Sequence, residues 1–239
     1  MLLEWLTYRT GSYATVPHKA SLFAKMLPSL AFYSRMVSIV IRSSRNAKRR
    51  IYGTPEWAKS SLEVLRSLES AGIRIEITGV DNFKDAEGPF VFIANHMSTL
   101  ETFVLPAIIA QYKDATFVVK KSLVDYPVFR HVMRSRKPVT VGRTNPREDL
   151  KAVLEGGSAK LNAGISMVIF PQTTRSLAFD PGVFNTIGIK LAKKAGVPVI
   201  PIALKTDAWG NGKCIKDFGR IDPSKTVRFA FGSPMRIKN

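Results

Sequence analysis

The 239 residues include one cysteine, Cys214, so no disulfide within the chain can brace the fold, and the usage fits a reducing compartment. Acids are scarce beside bases: 18 Asp+Glu stand against 36 Lys+Arg, a formal net charge of +18. That excess favours a polyanionic partner, whether nucleic acid, an anionic membrane surface or a phosphorylated substrate, and charge alone does not choose among them. A transmembrane helix needs roughly 20 predominantly apolar residues, and the most apolar stretch, 20–41, is interrupted by Lys25, Pro28 and Arg35. The opening "MLLEWLTYRTGSYATV" lacks the basic, apolar and small-residue regions of a secretory signal. The expectation is a cytoplasmic protein that can lie on a membrane without crossing it.

Several chemistries lack their residues as well. No G-x-S-x-G elbow occurs, and Ser158 in "GGSAK" falls within a helical pattern, which leaves a serine hydrolase without support. There is no H-E-x-x-H and no Cys/His cluster, so no metal site is expected. No G-x-x-x-x-G-K-[ST] phosphate cradle is present. Cys214 follows the turn-like "WGNGK" with no histidine nearby in sequence and is read as incidental.

With 45% hydrophobic side chains the chain can bury a substantial core. Its charge is unevenly spread: residues 1–53 carry nine Lys/Arg and a single acid, Glu4. After Pro28, Arg35, Ser38, Arg42, Arg45 and Arg49 recur at helical spacing while Met36, Val37, Val40 and Ile41 occupy another side, the pattern of a basic amphipathic helix. Residues 1–53 are therefore read as a basic helical segment suited to a membrane surface, and 54–239 as an α/β domain. A helix that caps the core with its charges in water is the competing reading.

From residue 54 helices and strands alternate. Thr54 reads as an N-cap with Pro55 at the first helical position, and Gly72 stops that helix. "IRIEITGV" alternates like a half-buried strand, and apolar runs follow at 89–94, 115–119, 138–141, 165–170, 197–204 and 227–231. Helical patterns lie between them at about 100–112, 126–134, 146–163 and 185–195. Interleaving of this kind predicts an α/β sheet covered on both faces, mixed because no helix separates the last strands.

The stretch "ANHMSTLETF" carries the sharpest chemistry. His96 and Glu101 are five apart, about 140° around a continuous helix. They meet only if His96 lies in the loop leaving the preceding strand and Glu101 in the first turn of the next helix. Ser98 reads as the N-cap of that helix and Glu101 as N3, which is equally a capping box. Capping the backbone and orienting the imidazole are compatible roles for one carboxylate, and both stand open here.

His96 with an acid after four residues, "VGRTNP" at 141–146, "FPQTTRS" at 170–176 and "GVPVIPIAL" at 196–204 occur in the order and approximate spacing of four motif blocks. Over about residues 75 to 235 the sequence resembles the lysophosphatidic acid / glycerolipid acyltransferase family, and within it the bacterial 1-acyl-sn-glycerol-3-phosphate acyltransferases. The resemblance implies a mixed α/β sandwich with an N-terminal helical motif that associates with membranes. It implies transfer of an acyl chain from acyl-CoA or acyl carrier protein to the free hydroxyl of 1-acyl-glycerol 3-phosphate, giving phosphatidic acid. Glycerol 3-phosphate or another lysophospholipid is the alternative acceptor. Beyond the thioester co-substrate no cofactor is implied. The partners would be lysophosphatidate, the thioester donor and an anionic membrane surface, with no nucleic acid, at the cytoplasmic face of the inner membrane.

In that reading His96 is the general base and Glu101 its carboxylate partner. A glycerol hydroxyl is a poor nucleophile at neutral pH, so an imidazole must take its proton as the oxygen attacks the thioester, and the carboxylate fixes the tautomer and offsets the imidazolium. Arg143 and Arg175, with Thr174 and Gln172, would hold the acceptor's phosphate, since a guanidinium fork matches phosphate oxygens. Lys120 follows a strand, as does Lys121, and Lys120 joins the binding group on that placement. Val197, Pro198 and Pro201 either line the acyl pocket or pack in the core. Glu101 stands where the family usually has Asp, and Gln172-Thr173 replace a usual Glu-Gly. The rival reading from another class is a non-catalytic basic protein that binds membrane or nucleic acid, with every motif residue structural.

Overall fold

The computed structural model describes residues 5–16, 20–127, 129–172, 174–212 and 215–238; Thr173 and Cys214 lie outside them. One mixed sheet of eight strands organises the chain, in the order β1-β2-β8-β7-β3-β6-β4-β5. The strands are β1 (Tyr13–Ala14), β2 (Arg74–Thr78), β3 (Val91–Ala94), β4 (Ala115–Lys120), β5 (Val139–Val141), β6 (Ser166–Ile169), β7 (Val199–Lys205) and β8 (Thr226–Phe231). Neighbours β5, β4, β6, β3 and β7 are parallel, whereas β8 runs antiparallel to β7 and β1 to β2. The mixed sheet expected from the uninterrupted C-terminal strands is what the β7–β8 pair supplies.

Alternation along the parallel strands divides the core in two. Phe92, Val168 and Ile200 face one layer, while Val91, Met167, Ile169 and Val199 face the other. The first layer holds α2 (Pro28–Lys48), α3 (Thr54–Ser70) and α4 (Leu100–Ile109), with the short α1 (Leu22–Met26) preceding them. The second holds α7 (Pro146–Asn162) and α8 (Ile187–Ala195), and α5 (Lys121–Val124) and α6 (Arg130–Ser135) connect β4 to β5. Strands buried on both faces read as unbroken apolar runs, which is why Phe90 to Ala94 shows no polar residue.

Two local expectations shift. The first turn of α3 begins one residue early, at Thr54, with Gly53 in the capping position and Glu56 accepting its N–H at 2.8 Å. The Thr54 hydroxyl instead donates to Asp114 at 2.7 Å, tying the helix to the start of β4. The apolar side of α2 also splits. Phe32, Met36 and Ile39 enter the main core, whereas Val37 and Ile41 face outward with Leu30. Arg42 leaves the basic row to pair with Glu63 of α3. Because Phe32 and Met36 share one core with Ile75 and Phe229, the change of charge at residue 53 does not coincide with a break in packing. Among the described residues no helix is long and apolar enough to cross a membrane.

Candidate active site

Strand ends gather the site. In a parallel block all C-terminal ends emerge on one side, where α/β folds place their ligands. Here β3 leads into His96, β4 ends at Lys120, β5 leads into Arg143, β6 into Gln172 and Arg175, and β7 into Thr206. Residues up to 110 positions apart in sequence thereby reach one edge.

His96 sits in the loop after β3 and Glu101 in the first turn of α4, the arrangement that lets them meet. His96 Nδ1 lies 2.9 Å from Glu101 Oε1. The same oxygen accepts the backbone N–H groups of Met97 at 2.6 Å and Ser98 at 2.9 Å. On the other oxygen, Oε2, the hydroxyls of Ser98 at 2.9 Å and Thr206 at 2.6 Å converge. Ser98 Oγ also accepts the N–H of Leu100. The capping position of α4 falls on Thr99, which makes no side-chain cap bond, so the expected Ser98-to-Glu101 capping box is displaced by one residue. Glu101 still accepts the N–H groups ahead of the helix while it partners the imidazole, and neither role excludes the other. The Glu101 side chain is 0% exposed. Burial opposes its charge, but the bonds from His96, Thr206 and Ser98 outweigh that and hold the carboxyl below the usual range. An ionised carboxylate only accepts, so the proton of this bond belongs to Nδ1, and in the neutral imidazole that tautomer has its lone pair on Nε2.

The ring is fixed from the side by Phe170, stacked at 4.4 Å and 21°. Its backbone is held by the loop after β6: Gln172 Oε1 accepts the His96 N–H at 2.5 Å, and the Ser176 N–H donates to the His96 carbonyl at 2.9 Å. Gln172 is buried, whereas Thr174 faces solvent. Gln172, expected among the acceptor-binding groups, thus has a structural task in which only its acceptor oxygen is used.

His96 lines a cavity of about 560 Å³, within the range of small-molecule sites. Its inner wall is apolar and aromatic, with Met36 and Ile39 from α2, Trp57 and Val64 from α3, and Phe103 from α4. Gln172, Arg175, Arg143 and Lys120 line it too. Arg143 has a left-handed backbone, φ 62°, a conformation that costs an L-residue roughly 1–2 kcal/mol. The Asp149 carboxylate holds that turn by accepting the N–H groups of Gly142 at 2.7 Å and Arg143 at 2.9 Å. Asn145 caps α7.

Val197, Pro198 and Pro201 are absent from this wall. Pro201 sits on β7 opposite Ile93 with its ring toward Gly232, and Val197 packs on the α7–α8 layer. The inner wall is instead built from α2, α3 and α4, which carry apolar helical faces that read equally well as core. Thr206, Phe170 and Asp217 were not singled out from sequence. Thr206 had a usable signal, since it leaves β7 in the topological position that His96 has after β3. Among the described residues no group of three or more His, Cys, Asp and Glu is placed to hold a metal.

Comparisons with known proteins bear on the family and the fold. A family model described as Acyltransferase matches residues 74–205, more than half the chain. A 1-acyl-sn-glycerol-3-phosphate acyltransferase of Pseudomonas aeruginosa is 32% identical over 183 residues, 76% of this chain and 68% of that protein. A chloroplastic protein of the same name from Brassica napus is 31% identical over 59% of this chain, but only 38% of its own length is matched. Among solved structures, the 1-acyl-sn-glycerophosphate (LPA) acyltransferase PlsC of Thermotoga maritima shares the fold with a TM-score of 0.59 at 20% identity, covering 89% of this chain and 85% of that one.

Proposed function

Because this chain belongs to the acyltransferase family, we propose that it transfers a fatty acyl group from acyl-CoA or acyl carrier protein to the free hydroxyl of 1-acyl-glycerol 3-phosphate, releasing phosphatidic acid and the free thiol. The observation that carries this reading is the His96–Glu101 pair at the wall of an apolar cavity. His96 Nε2 takes the proton of the acceptor hydroxyl as its oxygen bonds to the thioester carbonyl carbon. Collapse of the tetrahedral adduct breaks the carbon–sulfur bond, and the departing thiolate takes the proton back from the imidazolium. Glu101 stays ionised throughout and offsets the transient charge. The thioester is already activated, so the reaction needs no cofactor. Arg175, Arg143 and Lys120 supply the charge that receives the acceptor's phosphate.

The substrate class comes from the names of the relatives, and the cationic wall beside an apolar cavity suits an amphiphilic phosphomonoester. The membrane reading is supported by the outer side of α1 and α2. Leu22, Phe23, Met26, Leu30, Val37 and Ile41 are exposed there, a stripe flanked by Arg45 and Lys48, which with Arg130 surround a recess beside Ile41. An apolar stripe with a basic flank lies in the headgroup region of an anionic bilayer. This would put the enzyme at the cytoplasmic face of the inner membrane.

Thiol release with lysophosphatidate as acceptor tests the proposal, run with acyl-CoA and separately with acyl carrier protein. Acceptor-dependent release that disappears in His96→Ala is expected. Release with glycerol 3-phosphate alone would move the assignment to that acceptor. Undiminished release by a folded His96→Ala protein would remove the mechanism.

A further inference from the structure

We infer that Asp217 is a positioning residue for the acceptor's phosphate: its carboxylate, anchored by Thr99 and by its own loop, aims the Arg175 fork into the cavity and thereby sets the preference for a phosphorylated over an uncharged acceptor. The inference rests on the reading above, in which Arg175 meets the phosphate.

Asp217 Oδ1 accepts from Arg175 Nη2 at 2.7 Å and from the Thr99 hydroxyl at 3.0 Å. Thr99, Arg175 and Asp217 all line the cavity that holds His96. A negative charge on this wall is unexpected in a chain with twice as many bases as acids, and against an anionic substrate it is unfavourable unless it serves a purpose. The wall's other acid, Asp149, has one in the Gly142–Arg143 turn.

The loop that bears Asp217 is fixed at several points. Its carbonyl accepts the indole N–H of the fully buried Trp209 at 3.1 Å. The next residue, Phe218, lies 5.3 Å from the Tyr33 ring, and the Tyr33 hydroxyl donates to the Gly219 carbonyl at 2.6 Å. The two arms of the loop approach so closely that a Cβ on Gly219 would meet the Gly210 carbonyl oxygen at 1.7 Å, which only glycine tolerates. Asp217 is thus carried on a braced segment, unlike the mobile partner of an ordinary surface pair, where ordering cost cancels most of the gain.

The bond leaves the arginine usable. Guanidinium offers five N–H donors in a planar fork. Each Nη2 hydrogen belongs to a different edge of that fork, so whichever one Asp217 takes, a two-donor edge remains for phosphate oxygens. A long side chain pinned at one nitrogen is pre-organised at the others, which improves binding by removing the cost of ordering it.

The test compares kcat/KM for lysophosphatidate with kcat/KM for an uncharged monoacylglycerol of the same chain, using the full-length protein and one thioester donor. Asp217→Asn should lower the ratio of the two about tenfold, with the loss in KM for lysophosphatidate. Asp217→Glu, which keeps the charge, should recover part of it, and Thr99→Val should give a smaller loss in the same direction. Thr99→Val also reports on the anchor if Asp217→Asn folds poorly. An equal fall on both acceptors means a merely structural loop and overturns the inference. A higher affinity for lysophosphatidate in Asp217→Asn also overturns it, by making Asp217 a competitor of the phosphate. Arg175→Ala separates the two levels. If it discriminates between acceptors and Asp217→Asn does not, only the positioning role fails. If Arg175→Ala itself does not discriminate, the phosphate reading of Arg175 fails and this inference with it.

Discussion

Replacing Glu101 by Gln separates the two tasks of one carboxylate. The carboxylate accepts five hydrogen bonds, three N–H donors on Oε1 and two hydroxyls on Oε2. A glutamine whose carbonyl oxygen takes the Oε1 position keeps all three N–H donors. Its NH2 then faces the hydroxyls of Ser98 and Thr206, which can rotate to accept. Ser98 Oγ has another acceptor in the Thr206 carbonyl at 3.0 Å, so one hydroxyl proton at most loses its partner. An unsatisfied buried group costs about 1–3 kcal/mol, partly offset because no charge is then buried, and a net change near 1 kcal/mol moves Tm by about 2–4 °C in a chain of this size. Turnover responds differently. The amide cannot offset an imidazolium, and the comparable Asp→Asn change in a Ser-His-Asp triad lowers kcat about 10⁴-fold, equivalent to about 5.5 kcal/mol.

The expected outcome for Glu101→Gln is therefore a loss of about 10³–10⁴-fold in thiol release with a melting temperature within a few degrees of the parent. Glu101→Ala should instead destabilise strongly, because the N–H groups of Met97 and Ser98 lose their acceptor. Turnover of Glu101→Gln within tenfold of the parent would refute the catalytic role. A collapse in Tm matching the loss in rate would reduce the carboxylate to a cap.

Acid titration gives a second check. The Glu101 carboxyl is held below its ordinary value of 4.5, so its contribution to stability is present above that value and is lost as pH falls through the folded one; the stability gap between parent and Glu101→Gln should narrow below about pH 4.5, and a gap independent of pH in denaturant melts counts against the ionised pair. Filling the cavity with Ser43→Phe on α2 should shift the preference toward shorter acyl thioesters, and an unchanged chain-length profile would show that the acyl chain lies elsewhere. Changing Arg45, Lys48 and Arg49 together to Gln should weaken binding to anionic vesicles by up to about 1 kcal/mol for each charge near the surface. Arg42 is left intact because it is committed to Glu63, and undiminished vesicle binding by the triple variant would place the membrane contact on another surface.

The central strands β3 and β6 were legible because a strand buried on both faces leaves an unbroken apolar run, and β2 and β8 show the alternation of a half-exposed strand; β1, two residues at Tyr13–Ala14, is too short to leave a pattern. The His96–Glu101 contact was legible because a strand-to-helix junction is the one local geometry in which that spacing closes. The apolar cavity was not. Met36, Ile39, Trp57 and Val64 line it from helices whose apolar faces look the same whether they pack against a sheet or leave room for a chain. Val197 and Pro201 showed the converse: beside the motif blocks, Val197 packs on the α7–α8 layer and Pro201 against Gly232, and neither lines the cavity. The ion pair of Arg42 was not legible because its partner, Glu63, lies 21 positions away on another helix, beyond what helical periodicity reports.

The glutamine at 172 acquires a physical reason from the same geometry. What the His96 loop requires there is an acceptor for a backbone N–H, and an amide oxygen serves as well as a carboxylate oxygen. Gln172 is 3% exposed, so an ionised side chain at that position would be a second buried negative charge bonded to the residue that already carries Glu101. Like charges sharing a site disfavour joint ionisation, and glutamine avoids that conflict with the buried Glu101. With glutamine the loop keeps its hydrogen bond and His96 answers to one carboxylate. In the proposed mechanism the acceptor's phosphate would meet Arg143, Arg175 and Lys120 on the cavity wall, apart from the carboxylate that partners His96.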